Sequence, residues 1–180
     1  MTITELTRAA ALGAVLMLAG CSAPVATPPA PAQTAEESAY GGFPIDPPEA
    51  DEVVLSIEAG RTVDFTHAEL QELATVEIEV LEPFVDLQQS FTGVPLVDLL
   101  EIAGVPADAR VETVALNDYR YADTVAQWVD NDALLAVFRD GELIPMDQGG
   151  PIRIVFAEDS PAFDLLDAWN WSLRSIVLAD

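Results

Sequence analysis

The chain has 180 residues, 51% of them hydrophobic and 7% aromatic, so it can bury one sizeable core and still carry further segments. Acidic residues outnumber basic ones 31 to 7, for a net charge of −24, and all seven bases are arginines. A field this negative repels a phosphate backbone and excludes nucleic acid as a partner. What it describes is a solvated acidic surface, which a salty habitat would also favour.

Arg8 is followed by AAALGAVLMLAG, an apolar run over residues 9–20. That run is too short for a bilayer, which takes roughly 20 residues, and has the length of a signal-peptide core. It ends in Leu18-Ala19-Gly20-Cys21, which resembles the lipobox of bacterial lipoproteins. The resemblance implies a diacylglyceryl group on Cys21 and an extracytoplasmic domain anchored to the bacterial cell membrane. Residues 1–20 are then the signal peptide. Cys21 is the one cysteine of the chain, so the domain beyond it is expected to have no disulfide, no thiolate catalyst and no cysteine metal ligand. Residues 22–51 hold seven of the thirteen prolines and few large apolar side chains. With Cys21 they predict an extended, flexible tether that cannot bury enough surface to fold.

The domain is expected over residues 52–180. EVVLSIEA (52–59) alternates like a half-buried strand. In DFTHAELQELA, Thr66 and Glu69 form a capping box and Phe65 with Leu70 a hydrophobic staple, which predicts a helix start. TVEIEV (75–80) alternates again, with its acids outward. FTGVPLVDLLEIAG predicts a strand end, a tight turn and a short helix. In that helix Leu96, Leu99, Leu100 and Ala103 share one face, Pro95 sits in the first turn and Gly104 closes the end. VETVAL predicts a strand, and Asn117-Asp118 closes it. ALLAVFRDGELIPM, apolar on both faces around Asp140-Gly141, predicts a buried hairpin with a type I′ turn. GGPIRIVFA predicts a central strand, and WSLRSIVLA the last one. Short mixed strands with a few short helices make the fold class α+β.

Four stretches carry a family resemblance: FTGVPLVDLLEIAGV (91–105), ETVALNDYRYADTV (112–125), LLAVFRDGELIPMDQGGPIRIVFA (134–157) and WNWSLRSIVL (169–178). In series they resemble the oxidoreductase molybdopterin-binding domain of the sulfite oxidase superfamily. The compact length and the Trp-x-Trp-Ser ending are similar to its small secreted members, some of which bind pterins without metal chemistry. The resemblance implies mixed β-sheets with a few short helices. In the enzymes of the family, a cysteine a dozen or so residues before the Gly-Val-Pro-Leu helix ligates molybdenum. Here that region reads VLEPFVDLQQS, with Glu82, Asp86, Gln88 and Gln89 and no cysteine. Oxygen donors are poor substitutes for sulfur on a soft metal. No metal is therefore expected, no catalytic residue is assigned, and a pterin, or molybdopterin without its molybdenum, is the implied ligand. A membrane-protein partner would suit such an anchored module. A molybdopterin-dependent oxidoreductase and a pure protein-interaction domain are the alternatives.

Candidate ligand-binding residues are Asn117, Asp118, Tyr119, Tyr121, Arg153, Trp169 and Trp171. Arg153 lies among Ile152, Ile154, Val155 and Phe156, where a guanidinium needs either a ligand oxygen or a carboxylate. Trp169 and Trp171 face one side of an extended segment and either stack on a flat ring or pack in the core. The turn from Asn117 to Tyr121 either carries ligand contacts or is an Asx turn. The ligand is expected between that turn, the Arg153 strand and the two tryptophans. Trp128 reads as core. His67, without a second histidine, reads as surface and not as part of a zinc site.

Overall fold

A computed structural model describes residues 46–179. The signal peptide, Cys21 and nearly all of the tether lie outside these residues. The fold is α+β, and the described residues build one mixed sheet, one antiparallel sheet and three short α-helices.

The first sheet contains β1 (Val53–Glu58), β2 (Thr62–Thr66), β5 (Arg110–Ala115), β6 (Arg120–Thr124) and β10 (Leu173–Leu178), in the order β2-β1-β10-β5-β6. β1 and β10 run parallel and the other pairs antiparallel. The second sheet contains β3 (Val76–Glu82), β4 (Leu87–Pro95), β7 (Leu134–Arg139) and β8 (Glu142–Leu143) in that order, with β9 (Arg153–Val155) also paired to β7. The helices are α1 (His67–Leu73), α2 (Leu96–Ala103) and α3 (Val125–Asp130). One apolar core draws on both sheets and the helices, with Leu55, Ile57, Leu99, Leu135, Ile154 and Phe156 fully buried.

Several local expectations hold. Thr66 caps α1 and accepts from the Glu69 N–H, while the Glu69 carboxylate accepts from the Thr66 N–H at 2.8 Å, which completes the capping box. Leu96, Leu99, Leu100 and Ala103 are the buried face of α2, and Gly104 ends it in the left-handed region. Asp140 and Gly141 both have positive φ, as a type I′ hairpin turn requires.

Three expectations need correction. No turn separates β4 from α2: the strand runs to Pro95 and the helix begins at Leu96. Gly93 is a strand residue there because β4 crosses β7 so closely that a Cβ would collide with the Leu135 carbonyl. β9 is not central, since it is three residues long and pairs only with β7. It is buried because the chain around β10 covers it. The Ile154 N–H donates to the Asn170 carbonyl and the Leu173 N–H to the Ile152 carbonyl. His67 is not on the surface. It is 2% exposed, because the first turn of α1 docks on the segment before β1. The His67 and Ala68 N–H groups donate to the carbonyls of Glu52 and Ala50.

Candidate functional site

The period-two pattern of β3 continues past the stretch that reads as a strand. Val80 and Glu82 fall on the same inward face and both are fully buried. An acid there must find a partner, and it finds several. One Glu82 oxygen accepts from the Arg153 guanidinium at 2.8 Å, with both side chains completely buried. The other accepts the N–H groups of Phe84 and Val85 at 2.9 and 3.0 Å. Glu82 thus ties β9 to β3 and shapes the turn that presents Phe84. The Arg153 guanidinium also lies over the Trp171 ring, 4.3 Å from its centroid. Of the two partners open to Arg153 in the sequence, a ligand oxygen or a carboxylate, the fold supplies the carboxylate.

In front of this pair lies a pocket of about 310 Å³, at the lower end of the size range for small-molecule sites. Phe84, Trp169 and Trp171 form its aromatic side. Phe84 meets Trp171 edge to face with centroids 4.7 Å apart, and Trp169 at 6.1 Å. Trp169 is held by its indole N–H, which donates to the Phe163 carbonyl. Asn117, Tyr119, Leu166, Asp167 and Asn170 complete the lining. The 117–119 turn is an Asx turn, with the Asn117 side-chain oxygen accepting from the Tyr119 N–H at 3.0 Å. The Tyr119 hydroxyl donates to the Asp167 carbonyl at 2.9 Å, which links the turn to the 3-10 turn Leu166–Ala168. Burial, and then the Asp167 carboxylate, raise the Tyr119 pKa above its ordinary value.

Asn170, fully buried between the two tryptophans, is fixed in orientation by β5. Its amide nitrogen donates to both the carbonyl and the hydroxyl oxygen of Thr113, at 3.1 and 3.0 Å. The Thr113 hydroxyl in turn donates to the Tyr121 carbonyl, so it can only accept from Asn170. The side-chain oxygen of Asn170 is left without a partner.

The fold therefore brings together four of the residues singled out in the sequence, Asn117, Tyr119, Trp169 and Trp171. It places the other three elsewhere. Asp118, at positive φ, forms an exposed ion pair with Arg174 at 2.6 Å. Tyr121 turns its ring edge to Trp128, 5.5 Å between centroids, and donates its hydroxyl to Asp123. Burial first, and Asp123 next, push its pKa to about 12. Arg153 lies behind Trp171 and does not line the pocket. Phe84, Asp167 and Asn170 were not singled out in the sequence. Asn170 had a signal, its place inside Trp-Asn-Trp. Glu82 had one too, its place on the inward face of an alternating strand.

Fold and site together define an α+β domain with a pocket walled by aromatic and polar side chains. Residues 84–159 match the family model described as oxidoreductase molybdopterin binding domain. The crystal structure of the sulfane dehydrogenase SoxCD from Paracoccus pantotrophus is similar, with a TM-score of 0.56 and 20% identity. The match covers 76% of this chain and 40% of that one, and at this identity the likeness is one of fold. No curated protein matches the chain.

The matched model is that of a molybdopterin-binding domain, and the pocket offers aromatic side chains to a flat ring. The metal half of the cofactor fits less well. Molybdenum is bound through sulfur, and the described residues contain no cysteine. Glu82, the buried carboxylate nearest the pocket turn, is already committed to Arg153 and two backbone N–H groups. No group of three or more His, Cys, Asp or Glu side chains suited to a metal ion occurs among the described residues.

Proposed function

We propose that the domain binds a pterin or similar flat heterocycle in the pocket formed by Phe84, Asn117, Tyr119, Trp169 and Trp171, and that it does so without ligating molybdenum. The convergence of these side chains, from three separate parts of the chain, on one cavity is the observation that carries the reading. The aromatic faces favour a planar guest, with stacking worth typically ~0.5–1.5 kcal/mol beyond area burial. Glu82 and Arg153 act behind the pocket as its support. The protein is further proposed to be extracytoplasmic and held to the bacterial membrane by lipid on Cys21, where a membrane-protein partner can meet it. Among the described residues no helix is long and apolar enough to cross a membrane.

Native mass spectrometry of protein freshly purified from a molybdopterin-competent host, with elemental analysis of the same sample, tests the ligand. A co-purifying heterocycle without molybdenum is expected. Calorimetry with pterins should then show wild-type binding and a loss of tenfold or more, roughly 1.4 kcal/mol, in folded Trp171→Ala. Palmitate labelling that is lost in Cys21→Ala tests the anchor.

The family match favours a second reading, a molybdopterin-dependent oxidoreductase. Stoichiometric molybdenum in the purified protein would put it first. Absence of any small-molecule binding would favour an interaction domain.

A further inference from the structure

The charge around the pocket is one-sided. Its lining includes the carboxylate residue Asp167 but no arginine and no histidine, and the chain has no lysine. The guanidiniums of the described residues are engaged elsewhere. Arg61 donates to the Ile102 carbonyl, Arg110 to the Ala122 carbonyl and Arg139 to Gln148. Arg120 pairs with Glu112 and Arg174 with Asp118. Arg153, nearest in space, is fully buried behind the Trp171 ring and held by Glu82.

The lining carries acceptors beside the amide donor of Asn117. The Tyr119 hydroxyl proton is committed to the Asp167 carbonyl, so its oxygen offers lone pairs. Asp167 is the charged acceptor of the lining, whereas the Asn170 side-chain oxygen, though without a partner, is itself buried. Such a wall rewards N–H donors and positive charge, and aromatic rings beside it favour the same kind of guest. The raised pKa of both Tyr119 and Tyr121, to which the Asp167 charge contributes, fits a negative potential at this end of the fold.

Building on the pterin reading, we infer that the pocket selects a donor-rich planar heterocycle carrying no phosphate, neutral or cationic, and rejects phosphorylated forms. An anionic arm would have to lie in the field of Asp167 and a chain of net charge −24, with no cationic side chain in the pocket lining.

The test compares 6-hydroxymethylpterin with its phosphate ester by calorimetry and tryptophan fluorescence, at low and high salt, on the wild-type domain and on folded Asp167→Asn. N-methylquinolinium serves as a cationic planar probe without a pterin edge. The alcohol should bind at least about tenfold more tightly than the ester, a ratio that shrinks with salt as screening grows. Asp167→Asn should also reduce that ratio. Equal or tighter binding of the ester overturns the inference and leaves the pterin reading standing. Binding of N-methylquinolinium but of neither pterin sinks the pterin reading and upholds the charge selectivity. If none of the three binds, both fall.

Discussion

The carboxylate of Glu82 and the guanidinium of Arg153 meet at 2.8 Å, 71 residues apart in the chain, with neither side chain exposed to solvent. Glu82 closes β3, Arg153 opens β9, and between them they fix the turn bearing Phe84 and the back of the Trp171 ring. Removing one partner strands the other charge in the core. Glu82→Leu or Arg153→Met alone should each cost about 3–5 kcal/mol, while the double variant should recover only part of that loss, because the Phe84 and Val85 N–H groups still lack their acceptor. Urea unfolding of the three variants measures it. Additive losses would show that the two residues act independently.

His67 should make stability fall in mild acid. Burial, outweighing the hydrogen bond to the Pro48 backbone and the Glu52 charge, lowers its pKa from the ordinary 6.5. The folded state therefore favours the neutral ring, and the unfolded chain takes up a proton first as pH drops. Its contribution is complete above about pH 6.5 and is lost as pH falls below that toward the lowered folded value. His67→Asn should flatten the change in thermal midpoint between about pH 7.5 and 5.5 relative to wild type. An unchanged slope would assign it to other groups.

Gly93→Ala should destabilise strongly, because its Cβ would strike the Leu135 carbonyl of β7 and backbone cannot move aside as a side-chain tip does. The expected loss is roughly 2–4 kcal/mol, in the upper range for point substitutions. Urea unfolding decides it. A variant as stable as wild type would mean that β4 and β7 separate easily.

Thr66→Ala removes the acceptor of the Glu69 N–H at the start of α1. Caps of this kind are worth about 1 kcal/mol. Thr66→Ser, which keeps the oxygen, should restore most of that stability. Equal losses in the two variants would point to the Thr66 methyl group instead of the cap.

Much of the fold was legible in the sequence because local rules span only a few residues. The Thr66–Glu69 box lies within one helical turn, the Asp140-Gly141 turn needs only two residues with positive φ, and the buried face of α2 repeats every three to four positions. Two of the corrections come from contacts that lie outside any such window. Gly93 looks like a turn residue until β7 crosses it, and His67 looks exposed until the segment before β1 is laid against it.

The site divides in the same way. Residue type, spacing and the family resemblance made Asn117, Tyr119, Trp169 and Trp171 candidates, and the fold brings these four to one cavity. Which carboxylate answers Arg153 was beyond the sequence, since any of the thirty acidic residues after Cys21 was a formal candidate. Tertiary structure chose Glu82 by bringing the end of β3 against β9, where the cost of burying either charge alone demands the other. The same packing turned Tyr121 toward Trp128, exposed Asp118 to pair with Arg174, and set Phe84, Asp167 and Asn170 around the tryptophans. Identity and spacing belong to the chain, whereas adjacency between distant residues exists only once the core has closed and desolvation has made each buried polar group find its partner.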